Sequence, residues 1–180
     1  MGCGSLGSSL AYLLMLRSID DYISELFLID NDILEYKNLP YLNMNIYSNP
    51  DYIMKPKSVV LKTIICGINP KVILKTRFGN EKIDFDIDYY VIDCRDTSSE
   101  FIRSNMKINM DGYFGIINLN PQDKLEKTNS RYSIKNSKFY AHALSNLCIN
   151  IIFGEVNLYP SKYSIDLKRG TIISLRRDNE

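Results

Sequence analysis

The sequence GCGSLG, from Gly2 to Gly7, stands at the start of the chain. Its glycines have the G-x-G-x-x-G spacing of nucleotide-binding loops that lie between a strand and a helix. In such a loop the first glycine permits a tight turn, the second lets the backbone approach a phosphate, and the third lets the helix pack closely on the sheet. The following helix offers free N–H groups and a partial positive charge to an anion. We therefore predict that Gly2, Gly4 and Gly7 form a phosphate-binding loop, called here the phosphate loop.

The residues after the phosphate loop favour a helix and then a buried strand. Leucines recur on one face of residues 5–17, which predicts a helix. The short apolar run Glu25–Ile29 predicts a parallel strand with Asp30 at its carboxyl end. Asp30 lies about 20 residues beyond the loop, the spacing at which a carboxylate binds a ribose hydroxyl. Only Met1 precedes the glycines, although the fingerprint normally follows a strand, so we expect the first strand to be missing or supplied elsewhere.

The rest of the chain alternates between the two kinds of element, with a loop over Asn31–Pro50 and a small hairpin around Gly79-Asn80. Helices are predicted over Lys57–Cys66 with a stop at Gly67, over Ser98–Ile108, and over Ser137–Phe153 with a stop at Gly154. Strands are predicted over Lys71–Thr76, Tyr89–Ile92, Tyr113–Leu119, Ser164–Leu167 and Thr171–Leu175.

This alternation predicts an α/β domain of Rossmann-like type, with a mostly parallel sheet and helices on both faces. We expect one domain over residues 1–180, with a nucleotide-binding half (1–110) and a half of C-terminal strands and a long helix (111–180). In such sheets the ligand crevice lies beyond the carboxyl ends of the strands. Asp30, Asp93 and Asp96 fall at or just past such ends, which makes them candidate site residues.

Composition excludes several classes of function. The chain has 180 residues, a net charge of +1 and 45% hydrophobic residues, so no global field attracts nucleic acid or an anionic membrane. No apolar run approaches the roughly 18 residues that span a bilayer. The four cysteines are scattered without a CxxC pair, which indicates neither a zinc site nor a disulfide framework.

We expect a cytoplasmic protein without nucleic-acid or membrane partners. The richness in Ile, Asn, Lys and Tyr, typical of AT-rich genomes such as those of many viruses, leaves a virion as the alternative location.

Five segments occur in an order that resembles the ThiF/MoeB family and the adenylation domains of ubiquitin-activating enzymes. They are GCGSLG (Gly2–Gly7), LIDNDILEYKNL (Leu28–Leu39), KPK (Lys55–Lys57), INPKV (Ile68–Val72) and VIDCRDT (Val91–Thr97). The resemblance implies an ATP-dependent adenylyltransferase. In that family, the C-terminal carboxylate of a ubiquitin-like or sulfur-carrier protein attacks the α-phosphate of ATP, and pyrophosphate leaves.

The resemblance also implies roles for individual residues. The glycines of the phosphate loop would cradle the phosphates and Asp30 would hold the ribose. Asn38 and Lys57 would contact the triphosphate, and Asp96 would organise Mg²⁺. Lys57 and Asp96 would thereby be the catalytic pair. A lysine suits phosphate as a compact charge and an aspartate suits magnesium. The family's usual state further implies a homo-oligomer or a subunit of a larger complex.

Other interpretations stay open. The family usually has an arginine three residues after the asparagine that matches Asn38, and this chain has Tyr41, which cannot supply a positive charge. An inactive ThiF-like structural or binding subunit of a larger assembly is therefore the main alternative. Without the resemblance, Lys57 could be an exposed helix-start lysine and Asp96 a helix cap. The glycine loop with Asp30 also permits a nicotinamide-dependent enzyme, although no hydride-transfer motif accompanies it.

Overall fold

A computed structural model describes residues 1–17, 22–40, 42, 47, 49–79, 89–95, 104–111, 113–119, 137–156 and 162–175. Its helices are α1 (Ser5–Leu16), α2 (Lys57–Ile68) and α3 (Ser137–Ile152). Its strands are β1 (Glu25–Asp30), β2 (Ile73–Phe78), β3 (Ile92–Asp93), β4 (Met106–Asp111), β5 (Phe114–Asn118), β6 (Lys162–Asp166) and β7 (Thr171–Leu175). The α/β class is therefore confirmed, whereas the division into halves near residue 110 stays a prediction.

The described strands form two groups. β1 pairs in parallel with β2, with Glu25 opposite Ile73. The second group has the order β3-β4-β5-β6-β7, in which β3 and β4 are parallel and each later pair is antiparallel. The strands up to β4 thus pair in parallel, and the strands from β4 to β7 pair with their sequence neighbours in antiparallel fashion.

Met1 and Gly2 join the two groups. The Gly2 amide donates to the carbonyl of Ile29 in β1 (2.8 Å). On the other side, the Met1 amine donates to the carbonyl of Ile92 in β3 (2.7 Å), and the Cys94 amide donates to the Met1 carbonyl (2.8 Å). Met1–Gly2 therefore occupies the end of the strand position that the sequence predicts to be missing or supplied elsewhere.

The core forms where α1 and α3 pack together, with α1 continuing directly from the phosphate loop. Leu6, Leu10 and Leu14 of α1 are buried, as is Leu144 of α3. The Ser145 hydroxyl of α3 donates to the Leu6 carbonyl (3.2 Å). A fully buried hydroxyl needs such a partner, so this bond fixes the helix pair beside the loop.

One predicted element is wrong in part. Residues 104–108 of the predicted helix Ser98–Ile108 are not helical, because Met106 begins β4. Met106, Ile108 and Met110 are fully buried and alternate with polar residues, which is the period of a strand. Residues 98–103 of that prediction lie outside the described part of the chain.

The other elements appear close to their predicted positions, except that β3 is only Ile92–Asp93 and residues 89–91 of the predicted strand Tyr89–Ile92 are not strand. α2 continues through Gly67 to Ile68, so the predicted stop at Gly67 is wrong and the turn at Asn69-Pro70 ends the helix. β2 starts at Ile73 and ends at Phe78, later than predicted, and the part of the predicted hairpin from Asn80 onward lies outside the described residues. None of the helices in the described ranges is long and apolar enough to cross a bilayer.

Candidate functional site

The three glycines of the phosphate loop have three different surroundings. Gly2 has a φ of +83°, and a Cβ there would lie 3.1 Å from the Cys94 carbonyl carbon. A Cβ on Gly7 would lie 1.7 Å from the Gly2 carbonyl oxygen, so only glycine lets α1 abut the turn. A Cβ on Gly4 would meet no atom of the described residues within 4 Å. The open side of the loop is therefore at Gly4, the position at which a backbone can approach a phosphate.

The amino end of α1 faces this open side without an acidic residue. Gly4 is the N-cap and supplies no side-chain hydrogen bond, and the first turn of α1 contains no acidic side chain. The first amides of a helix have no intrahelical partner. The hydroxyl of Ser5 is also buried and has no partner among the described residues. Both observations suit an anionic ligand at this end of α1.

Asp30 and Tyr47 hold the loop from two sides at Cys3. The buried Asp30 carboxylate accepts hydrogen bonds from the Cys3 amide and from the Asp32 amide (2.6 Å). The Tyr47 hydroxyl, on a fully buried side chain, donates to the Cys3 carbonyl (2.8 Å). Sequence analysis found Asp30 but missed Tyr47, because nothing in the Asn- and Tyr-rich loop 31–50 distinguishes one tyrosine from the others.

Lys57 is a buried cation at the start of α2. Its side chain is 8% exposed, and its Nζ lies 2.8 Å from Oδ2 of Asp32, whose side chain is 63% exposed. The Lys57 amide also donates to the Asp32 carbonyl (3.0 Å). The interpretation of Lys57 as an exposed helix-start lysine is therefore wrong. The lysine lies beside the loop that follows β1, where it pairs with the solvent-exposed carboxylate of Asp32.

The charges of Lys57 and Asp30 both act on Cys3 in the phosphate loop. Burial, which is the largest cause, and the nearby Asp30 carboxylate raise the pKa of the Cys3 thiol well above its usual range. The amino terminus and Lys57 lower this pKa, and these weaker effects do not cancel the first two. The structure thus brings Gly2, Gly4, Gly7, Asp30 and Lys57 into one neighbourhood.

Asn38 and Asp96 are not joined to this neighbourhood by described contacts. The Asn38 side-chain oxygen accepts from the Glu35 amide (3.0 Å) and forms part of a capping box on the short 3₁₀ turn Tyr36–Asn38. Its carbonyl accepts from the Leu42 amide (3.2 Å). Asp96 lies outside the described residues, so its predicted role with Mg²⁺ stays a prediction.

Asp93 lies in a buried ionic cluster that sequence analysis did not find. Its side chain is 3% exposed and lies 2.9 Å from Nε of Arg95 and 3.3 Å from Nζ of Lys107. Burial raises the pKa of Asp93, but hydrogen bonds from Arg95 and the charges of Lys107 and Arg95 outweigh it and hold this pKa below its ordinary value. Sequence analysis missed Lys107 because it placed this residue in the predicted helix Ser98–Ile108. In the structure Lys107 belongs to β4 and lies opposite Asp93 of β3 in the parallel pairing.

Comparisons with known proteins find similarity in structure but not in sequence. No protein-family profile matches the chain, and no curated protein matches its sequence. E. coli MccB superposes with a TM-score of 0.69 at 18% identity, covering 97% of this chain and 60% of MccB. E. coli MccB with ATP gives a TM-score of 0.62 at 20% identity, covering 97% and 61%. PaaA gives 0.62 at 19% identity, covering 97% and 62%.

The chain has a ThiF-like fold. Because the identities are near 20%, the ThiF-like fold is what these comparisons establish. The chain spans about three fifths of the length of these solved structures. The expected Rossmann-like architecture is confirmed.

Proposed function

We propose that this chain is an ATP-dependent adenylyltransferase that activates the C-terminal carboxylate of a ubiquitin-like or sulfur-carrier protein. The observation that supports it best is the phosphate loop. Gly2 and Gly7 are packed against backbone, whereas Gly4 faces open space beside an uncapped helix end. A loop that needed its glycines for tight packing alone would not require one at Gly4, whose φ of −71° is ordinary for any residue.

The proposed roles follow from the chemistry of the side chains. Amides of the phosphate loop bind phosphate oxygens, and Lys57 neutralises negative charge on the triphosphate. Asp30 uses two acceptor positions for the Cys3 and Asp32 amides, and a carboxylate has about four lone-pair sites, so it can also accept from a ribose hydroxyl. Asn38 uses its oxygen in the capping box and keeps its amide N–H groups for the nucleotide.

The reaction forms a bond between a carboxylate oxygen of the protein substrate and the α-phosphorus of ATP, while the bond to the β-phosphate oxygen breaks and pyrophosphate leaves. Positioning and charge neutralisation matter more here than a general base. Mg²⁺ would neutralise phosphate charge in this reaction. Asp93 does not fit as its ligand, because Arg95 and Lys107 already engage the carboxylate. We propose Asp96 for that position.

The proposed partner is a protein tail with a free carboxylate. Among the similar structures, E. coli MccB has been crystallised with ATP and with AMPCPP together with MccA. Those ligands belong to MccB, and they motivate the choice of ATP and of a peptide-like substrate for this chain. A homo-oligomer or a place in a larger complex is part of the same proposal.

Pyrophosphate exchange tests this function. The chain is incubated with MgATP, labelled pyrophosphate and a ubiquitin-like or sulfur-carrier protein from the same genome, and label incorporated into ATP is measured. Lys57→Met removes the buried charge, and Lys55→Met, at a neighbouring exposed lysine, is the matched control. One phosphate contact is worth on the order of 2 kcal/mol, so exchange by Lys57→Met should fall about thirtyfold while Lys55→Met stays near wild type. Equal exchange by both variants would contradict the role of Lys57.

An inactive ThiF-like subunit is the second candidate, and two observations favour it. Asp30, Lys57 and the side-chain oxygen of Asn38 each already have a hydrogen-bond partner within the chain. Tyr41 occupies the position at which the ThiF/MoeB family usually has an arginine, and a tyrosine cannot supply a positive charge to the phosphates. Thermal denaturation with and without MgATP separates the two candidates, since a ligand that binds the native state raises the melting temperature. No shift at millimolar MgATP would favour the inactive subunit.

A further inference from the structure

Asp32 and Lys57 belong to two segments whose backbones are tied together. The Lys57 amide donates to the Asp32 carbonyl (3.0 Å). Two more backbone bonds follow, from the Leu34 amide to the Lys55 carbonyl (2.8 Å) and from the Met54 amide to the Leu34 carbonyl (2.8 Å). Leu34 is fully buried, which anchors both segments in the core. The backbone therefore keeps Asp32 within reach of Lys57, and the two side chains separate only by rotation about their own single bonds.

The two charged side chains differ in their exposure to water. The side chain of Lys57 is 8% exposed and that of Asp32 is 63% exposed, with 2.8 Å between Nζ and Oδ2. A buried ammonium group needs a negative partner, because its lost hydration is otherwise not replaced. An exposed carboxylate keeps water on its other side and loses little when it leaves an ion pair. Lys57 thus requires an anion beside it, but another anion can replace Asp32.

The carboxylates of Asp30 and Asp32 are held in different ways. Asp30 is buried and accepts hydrogen bonds from two backbone amides, those of Cys3 and Asp32. Among the described residues, the Asp32 carboxylate has only Lys57 as a partner. Breaking one side-chain bond therefore releases the Asp32 carboxylate, whereas the backbone holds that of Asp30.

The charge of Lys57 also acts on the phosphate loop. Burial is the main effect that raises the pKa of the Cys3 thiol, and the charge of Lys57 is one of those that lower it. The open side of the same loop lies at Gly4. An anion that contacts the loop is therefore attracted by the positive charge that Asp32 neutralises in the structure.

We propose that the Asp32 carboxylate occupies the position of a phosphate group at Lys57, and that a bound nucleotide displaces it. This inference rests on the proposed function, because it gives the contact between Lys57 and the triphosphate its place in the structure. Without ligand, Asp32 neutralises the buried lysine and thereby stabilises the fold. With ligand, a phosphate oxygen takes over the bond to Nζ and the Asp32 carboxylate turns into water. The affinity for phosphate is then reduced by the fraction of molecules in which Asp32 holds Lys57.

Calorimetric titration of the full chain with inorganic tripolyphosphate, and separately with MgATP, tests the displacement. Tripolyphosphate is the first probe because it carries the phosphate charges without adenosine. Asp32→Asn keeps the size of the side chain and removes its charge, so we expect the Kd for both ligands to fall about three- to tenfold. Asp51→Asn is the matched control at another exposed carboxylate. It should change the Kd by less than about twofold, because salt screens an exposed charge that has no described contact with Lys57.

A second variant separates displacement from a general effect on the fold. Lys57→Met removes the charge for which Asp32 and phosphate compete, so adding Asp32→Asn to Lys57→Met should leave the Kd unchanged. This coupling between the two substitutions is a readout that a purely structural role would not produce. Urea unfolding without ligand should show the opposite sign for Asp32→Asn alone, since the buried lysine loses its counter-ion and the native state becomes less stable.

Two results would overturn the proposal. One is an Asp32→Asn chain that binds tripolyphosphate no more tightly than wild type, and the other is a gain in affinity that persists in the Lys57→Met background. Tripolyphosphate binding requires no adenylyl transfer. A chain that shows the gain but fails in pyrophosphate exchange would therefore retain this inference and lose the proposed activity.

Discussion

Replacing Gly4 by alanine adds one methyl group at the open side of the phosphate loop. No atom of the described residues lies within 4 Å of the new Cβ, and the φ of −71° at Gly4 suits alanine. The unfolded chain loses conformational freedom when glycine becomes alanine, which stabilises the native state by about 0.4–1 kcal/mol where the geometry is compatible. We therefore expect Gly4→Ala to fold with unchanged or slightly raised stability.

Binding of ATP should respond in the opposite direction. The methyl group stands where a phosphate must approach the backbone, so at least one amide–phosphate hydrogen bond is lost. A hydrogen bond to a charged group is worth about 1.5–3 kcal/mol, and each 1.4 kcal/mol is about a factor of ten in affinity. We expect the Kd of Gly4→Ala for MgATP to rise about ten- to hundredfold, measured by isothermal titration calorimetry beside a urea unfolding curve.

Gly7→Ala is the matched comparison within the same loop. Its Cβ would lie 1.7 Å from the Gly2 carbonyl oxygen and 2.9 Å from the Gly2 carbonyl carbon. Both atoms belong to the backbone, so α1 itself must shift, and overpacking of this kind costs about 1–3 kcal/mol of unfolding free energy or more. Gly7→Ala should thus lose stability even without nucleotide, whereas Gly4→Ala should lose only binding. MgATP affinity of Gly4→Ala equal to that of wild type would refute the placement of phosphates at Gly4.

Three further predictions concern the surroundings of the loop. Asp93 has a lowered pKa, so its stabilising contribution is present above the unfolded pKa near 4 and disappears as the pH falls through the folded value. Asp93→Asn should therefore cost about 3 kcal/mol at pH 7, because it removes the buried negative charge that faces Arg95 and Lys107, and urea curves at decreasing pH should show the difference shrinking. Tyr47→Phe leaves the buried Cys3 carbonyl unbonded and should cost about 1–2 kcal/mol in the same assay. Gly115→Ala would place its Cβ 2.7 Å from a Leu144 methyl and should lower the melting temperature, since repacking a full core costs about 1 kcal/mol or more.

The sequence was sufficient for elements with a strong local signal. The glycine spacing predicted the turn at Gly2 and the close approach at Gly7, because both are requirements on the backbone that only glycine meets. The apolar run Glu25–Ile29 and the long helix from Ser137 were also predicted, since burial imposes a clear pattern on each.

Other features depend on neighbours that are distant in sequence. Met106–Ile108, the start of β4, was predicted as the end of a helix because apolar and polar residues there suit either period over a short window. The antiparallel pairing of β4 with β5, which joins residues 107–111 to residues 114–118, makes this segment a strand. The hydrogen bond from Tyr47 to Cys3 and the ion pair of Asp93 with Lys107 join residues far apart in the chain. No local pattern could predict them. The roles of Asn38 and Asp96 rest on the family resemblance alone and stay predictions.

Cys3 is buried and Cys66 is exposed, and this difference determines which cysteine reacts with thiol reagents. Cys3 is 2% exposed and its pKa is raised mainly by burial, so it carries almost no thiolate, the form that reacts with electrophiles and peroxides. Cys148 is equally buried, with its pKa raised by burial, while Cys66 on α2 is exposed. Maleimide dyes should therefore attach to Cys66 well before Cys3 or Cys148 and leave the loop chemically intact. A fluorophore at that position would sit on the same helix as Lys57 and provide a spectroscopic signal for nucleotide titrations.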